Sequence, residues 1–142
     1  MNIDCKHLCR SKGSITSSGQ VTNEHDCRKG NITHNWNCIP TTATKLDLRN
    51  NEIKDLPSGI FSNLLSLQTL DLSDNEIKEP QSGQFSNLSS LRTLVLKDNK
   101  IKELPPGIFS NLIYLQELDL RNNEIRELPS GIFSTLSSLQ RL

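Results

Sequence analysis

Seven side chains able to hold a metal or form a cross-link crowd into the first 38 of the 142 residues: Cys5, Cys9, Cys27 and Cys38, with His7, His25 and His34. Beyond Cys38 the chain has neither cysteine nor histidine. Two chemistries compete for such a cluster. Structural zinc sites commonly draw cysteines from C-x-x-C pairs, and no such pair occurs here. Disulfides require only an oxidising compartment, so disulfides are expected and no metal is. Four cysteines in two bridges allow three connectivities, and sequence alone does not select one. The pairing expected is Cys9–Cys27 with Cys5–Cys38, because both bridges would tie the leading loop onto the first strands. Two glycosylation triplets, Asn31-Ile32-Thr33 and Asn87-Leu88-Ser89, fit the same secretory route. Catalysis has little to work with. No phosphate-binding glycine loop is present, and Asp47 with Asp71 is the nearest approach to a carboxylate pair. No catalytic residue, cofactor or enzymatic activity is expected.

These groups stand on a scaffold that repeats every 24 residues. Leu46/Leu70/Leu94/Leu118 and Leu48/Leu72/Leu96/Leu120 recur in register, followed by Ile53/Ile77/Ile101/Ile125, Phe61/Phe85/Phe109/Phe133 and Leu64/Leu88/Leu112/Leu136. Asn51/Asn75/Asn99/Asn123 form an equally strict polar column. A period of this length headed by L-x-x-L-x-L-x-x-N is the signature of the leucine-rich repeat. No single unit can bury its own leucines, so units must stack into one continuous core. Within L-x-L the strand period of two turns Leu46 and Leu48 inward and Lys45, Asp47 and Arg49 outward. The opposite wall carries phenylalanine and further leucine, which need more room than the sheet. The fold expected is therefore an α/β-type solenoid, a curved horseshoe with a parallel sheet on its concave face. Loops and short 3-10 turns should form the convex side. Each asparagine amide should satisfy backbone groups where the chain leaves the strand. Pro80, Gln81 and Gln84 replace the Leu, Pro and Ile of neighbouring units and should reshape the convex wall locally.

The expected organisation is a cysteine-rich cap over residues 1–42 and repeats over 43–142, as 43–66, 67–90, 91–114, 115–138 and a partial 139–142. Within the cap, Ser14–Thr16 and Gln20–Asn23 flank Ser18-Gly19, a hairpin pattern. Such a hairpin would cover the unpaired edge of the first parallel strand. Trp36 and Ile39 should pack onto the same end of the core. The start of a further strand at Leu139 and Leu142, without a closing segment, leaves two expectations: the natural chain continues, or another copy covers the C-terminal edge in a homodimer. Formal net charge is zero, which argues for no nucleic-acid partner, and no stretch is apolar for long enough to insert into a membrane.

Three segments carry a closer likeness. Val21 to Cys27 resembles a short flank strand ending in cysteine, and Ile39-Pro40-Thr41-Thr42-Ala43-Thr44-Lys45-Leu46 resembles a link from cap to first repeat. Leu56-Pro57-Ser58-Gly59-Ile60-Phe61 and its copies resemble the convex L-P-x-G-x-F pattern. Together they make nearly the whole chain similar to variable lymphocyte receptors and related extracellular leucine-rich-repeat proteins of immunity. That resemblance implies a secreted or cell-surface glycoprotein of pattern recognition or innate immunity, directed at foreign or microbial surface molecules.

Outward strand positions and their flanks form the expected binding face: Lys45, Asp47, Arg49, Gln68, Thr69, Asp71, Ser73, Arg92, Thr93, Val95, Lys97, Gln116, Glu117, Asp119 and Arg121. The face has arginines but no aromatic anchor of the kind protein hot spots favour. A polar trough of this sort suits microbial surface carbohydrate or a charged cell-wall polymer better than a protein antigen. An adhesion or matrix protein binding host proteins is the alternative.

Overall fold

A computed structural model of the protein describes residues 9–15, 21–28, 32 and 36–142. Six strands form one sheet in chain order: β1 (Arg10–Ile15), β2 (Val21–Asp26), β3 (Lys45–Asp47), β4 (Thr69–Asp71), β5 (Thr93–Val95) and β6 (Glu117–Asp119). β1 and β2 pair antiparallel, whereas every pairing from β2 to β6 is parallel. Leu46, Leu70, Leu94 and Leu118 lie directly opposite one another across the sheet. The antiparallel hairpin thus covers the edge that a lone parallel strand would leave unpaired, as the turn pattern at its tip implies. His25 pairs opposite Leu46 and occupies the same inward column, where it is buried.

The core runs the length of the stack, from Cys27 and Ile32 through the leucine columns to Leu136. Ile39 is buried against it and Trp36 is partly buried on the same surface. On the convex side Phe61, Phe85, Phe109 and Phe133 stack with centroids 6.2, 6.5 and 6.3 Å apart. Paired strands sit only about 4.8 Å apart. One wall advances further per repeat than the other, so the slab bends toward the sheet, which becomes the concave face. The convex wall is built from turns. Among the described residues, the 3-10 stretch Trp36–Cys38 lies in the cap and not on that wall, where short 3-10 turns were expected.

The asparagine column is a ladder between repeats. The Asn75 Oδ1 accepts the backbone N–H of Asn51 and of Ile53, at 3.0 and 3.1 Å. Its Nδ2 donates to the carbonyls of Leu48, Leu72 and Ser73. Asn51, Asn99 and Asn123 repeat the arrangement. The residue before each asparagine (Asn50, Asp74, Asp98 or Asn122) turns the chain through a left-handed conformation, φ 54 to 57°. Asn and Asp tolerate that region better than most residues.

Gln84 occupies the position held by Ile60, Ile108 and Ile132. It is buried, its Nε2 donates to the Pro57 carbonyl at 3.2 Å, and its Oε1 has no partner among the described residues. Cys9 and Cys27 are joined by a disulfide. Cys38 is also disulfide-bonded, while its expected pairing with Cys5 lies outside the described residues. No helix of the described residues is long and apolar enough to cross a membrane.

Candidate functional site

Strands β3 to β6 turn their non-leucine side chains toward the concave face, but those side chains are not equally available. Lys45, Arg92 and Arg121 are exposed, and Arg49, Gln68, Thr69, Asp71, Thr93, Val95, Lys97, Gln116, Glu117 and Asp119 are half-buried. Two expected contact residues are withdrawn. Ser73 is fully buried, with its hydroxyl donating to the Asp71 Oδ1 at 2.6 Å. A side chain so placed offers a ligand nothing. Asp47 is buried beneath Arg28 and Arg49 rather than turned out to solvent.

The cause is a fork that recurs where strands end. The Arg49 Nε and Nη2 donate to the two carboxylate oxygens of Asp47 at 2.9 and 2.7 Å, and the Arg49 backbone N–H donates to the Asp47 Oδ1 at 3.2 Å. Arg121 makes the same three contacts with Asp119, at 3.0, 2.7 and 3.1 Å. Arg28 does so with Asp26 in the cap. At β4 the Ser73 N–H and hydroxyl replace the guanidinium on Asp71. The forks are also linked to each other: Arg28 lies 3.5 Å from Asp47, and Arg49 lies 3.5 Å from Asp71. A carboxylate that accepts several such bonds is stabilised in its charged form. Hydrogen bonding from Arg28 accordingly pulls Asp26 down to about 2. Arg121 lowers Asp119 by the same means, and Asp47 raises Arg49. Arg28 was not among the expected site residues. The signal was present as Asp26-Cys27-Arg28, Asp47-Leu48-Arg49 and Asp119-Leu120-Arg121.

β5 breaks the series. Val95 stands between Asp71 and Asp119 in the register, so no carboxylate faces residue 97. The Lys97 backbone N–H donates to no acceptor among the described residues. Its ammonium lies 3.9 Å from the Asp98 Oδ2, and its charge adds a minor part to the lowering of Asp119, behind that of Arg121.

Other surfaces are plainer. Asn87 is exposed above a buried Leu88, whereas Asn31 lies outside the described residues. Tyr114 is exposed in the turn before β6, next to Leu115, and not on the sheet. Two surface depressions, one bordered by Leu104, Glu124 and Leu128 and the other by Asn50, Glu52 and Lys100, are lined by residues outside the strands. Among the described residues no group of three or more His, Cys, Asp or Glu side chains could hold a metal ion.

A family model described as leucine rich repeat matches residues 41–101 and 89–142. No curated protein matches the chain. Among solved structures, the crystal structure of the TLR13-ssRNA13 complex is 35% identical with a TM-score of 0.64. The match covers 66% of this chain and 13% of that one, so the chain spans a small part of that protein's length. This likeness overturns the expectation of no nucleic-acid partner, since a similar solenoid is seen in complex with RNA. The expectation rested on zero net charge, a sum over the whole surface. Binding depends instead on which charges stand together at one place, which a sum over the surface does not report.

Proposed function

The chain belongs to the leucine-rich-repeat family, and from that premise we propose that it is a non-catalytic recognition module of the immune receptor type, working at the cell surface or in secretion. We place its ligand site on the concave sheet and take the ligand to be a microbial surface polysaccharide or cell-wall polymer. The observation that carries this reading is the division of labour in each strand: leucines serve the core, while Thr69, Thr93, Glu117 and the residues around them stay at the surface. A stack held by asparagine ladders and ring stacking keeps such a surface rigid, which lowers the ordering cost of binding. The absence of an aromatic side chain from the strands favours a hydrogen-bonding ligand over a protein with a deep anchor.

Kinship with variable lymphocyte receptors is supported by the link from Ile39 to Leu46 and by the L-P-x-G-x-F turns. The cysteine bridges and the exposed Asn87 triplet fit a glycoprotein made in the secretory pathway. Attachment at Asn87 is checked by the mass shift of its tryptic glycopeptide on enzymatic deglycosylation, and an unmodified peptide from secreted protein would exclude it.

The deciding experiment is binding of the purified chain to isolated cell-wall polymers, to a panel of host surface proteins and to a single-stranded RNA oligonucleotide, with salt titrated. Polymer binding is expected to fall at least roughly tenfold in the Arg92→Ala variant, the order of loss for one charged hydrogen bond. Binding to host protein alone would replace this reading with adhesion. Binding to RNA alone, weakening steeply with salt, would replace it with nucleic-acid recognition.

A further inference from the structure

We propose that the end of strand β5, around Val95 and Lys97, is the subsite for a carboxylate of the ligand, so that the polymer recognised on the concave face is an acidic polysaccharide. This rests on the functional reading above and sharpens it to one position and one chemical class.

The argument comes from what the other strands do at the same place. At β2, β3, β4 and β6 the aspartate that ends the strand accepts the backbone N–H of the residue two positions on, past Cys27 at β2 and past a leucine at the other three. In each case it also accepts that residue's side chain, an arginine at three of the four strands and a serine at the other. Four copies of one geometry define what the position binds: a carboxylate, held by a main-chain donor and a side-chain donor together. At β5 the donors are kept and the acceptor is replaced. Lys97 still presents its N–H and a cationic side chain, but Val95 supplies a methyl surface where the others supply a carboxylate. Lys97 itself is half-buried, so an incoming group would be partly shielded from water.

The neighbours do not disqualify the place. Asp71 and Asp119 flank Val95, yet Asp71 is engaged by Ser73 and lies near Arg49, and Asp119 is engaged by Arg121. Among the described residues Asp98 is the acid nearest the Lys97 ammonium, at 3.9 Å, and Asp119, whose main partner is Arg121, also feels its charge. From Arg92 to Lys97 the chain carries two cations and no acid, unlike the corresponding segments of β3, β4 and β6. A sugar acid fits this better than a bare anion, because its ring can lie on Val95 and Thr93 while its carboxylate takes the two Lys97 donors.

The test uses the whole chain, with oligogalacturonate as the acidic probe, a neutral maltooligosaccharide as control and a single-stranded RNA oligonucleotide as the phosphate probe. Nitrogen–proton spectra report the Lys97 amide directly, and calorimetry reports affinity. Oligogalacturonate is expected to shift the Lys97 amide saturably, and maltooligosaccharide is not. Val95→Asp rebuilds the internal acceptor and should weaken oligogalacturonate binding roughly tenfold or more, the factor of a charged hydrogen bond. Val95→Asn offers the same acceptor without adding charge beside Asp71 and Asp119, and should also weaken binding if Val95→Asp folds poorly. Undiminished binding by a folded Val95→Asn protein overturns the proposal. So does a Lys97 amide that stays still while oligogalacturonate shifts other concave residues, an outcome that spares the wider functional reading. No shift of any strand residue by any probe would sink both. A Lys97 shift from RNA but not from oligogalacturonate overturns the saccharide assignment in favour of a phosphate ligand.

Discussion

His25 and Gln84 are single polar residues set into columns of apolar ones, and each leaves a measurable trace. Burial holds His25 below its ordinary value of 6.5, so the folded protein keeps it neutral where the unfolded chain takes up a proton. The unfolded state then binds more protons, and stability falls as pH drops through about 6.5. Melting temperature should decline between pH 7 and pH 5, and His25→Leu, which matches its column, should flatten that slope. Equal slopes in calorimetry would contradict the assignment. Asp26 acts in a separate window. Its folded value of about 2 lies below the ordinary 3.8, so its contribution is complete above that ordinary value and is lost only as pH falls toward 2. Gln84 pays for a buried oxygen with no partner. Gln84→Ile should stabilise by about 1 to 2 kcal/mol in urea denaturation, because it removes an unsatisfied acceptor. The Pro57 carbonyl loses one donor but retains the Ile60 N–H at 3.2 Å. The departure at Gln84 was visible in the sequence as a break in a column. Its burial was not, because an exposed loop would have tolerated the same residue.

At the scale of the element, each strand of three residues is too short to hold itself, and the asparagine at its exit supplies much of what fixes it. Asn75 satisfies two N–H groups of the preceding repeat and three carbonyls. Asn75→Leu adds apolar surface yet strands those groups, at about 1–3 kcal/mol for each one left buried and unpaired. A loss of about 3 kcal/mol or more is expected from denaturation midpoints, and a neutral result would show that water replaces the amide. The strands, their parallel order and the asparagine role were legible because every repeat restates them, so drift at one position is outvoted by three others. Alternation placed Asp47 on the right face but could not tell that Arg28 and Arg49 would close over it. That closure depends on how arginines from adjacent units meet, and a pattern read along one strand contains no such distance. The same limit hid the significance of Val95, which looks like ordinary variation until the forks on either side are seen.

Across the whole molecule, coupling is local. Strand partners are consecutive units, and the ladder bonds between repeats span 22 to 27 residues. Stability should therefore approximate a sum of terms for units and for the interfaces between neighbours. Leu46→Ala and Leu118→Ala lie three strands apart in the register. Each should cost about 2–5 kcal/mol, as for other truncations in packed cores, and their combination should match the sum within about 0.5 kcal/mol. Leu94→Ala with Leu118→Ala removes facing members of one column, directly paired across β5 and β6. That pair should deviate from additivity by roughly 0.5–3 kcal/mol, because the second truncation enlarges a cavity the first has opened. Urea denaturation of the two double variants and their parents gives both numbers, with the slope checking that unfolding remains all-or-none. Coupling as strong for the distant pair as for the adjacent one would mean that the stack behaves as a single cooperative block. A change in one strand would then reach the entire concave face, and side chains there could not vary independently, as a recognition surface built from separate repeats requires.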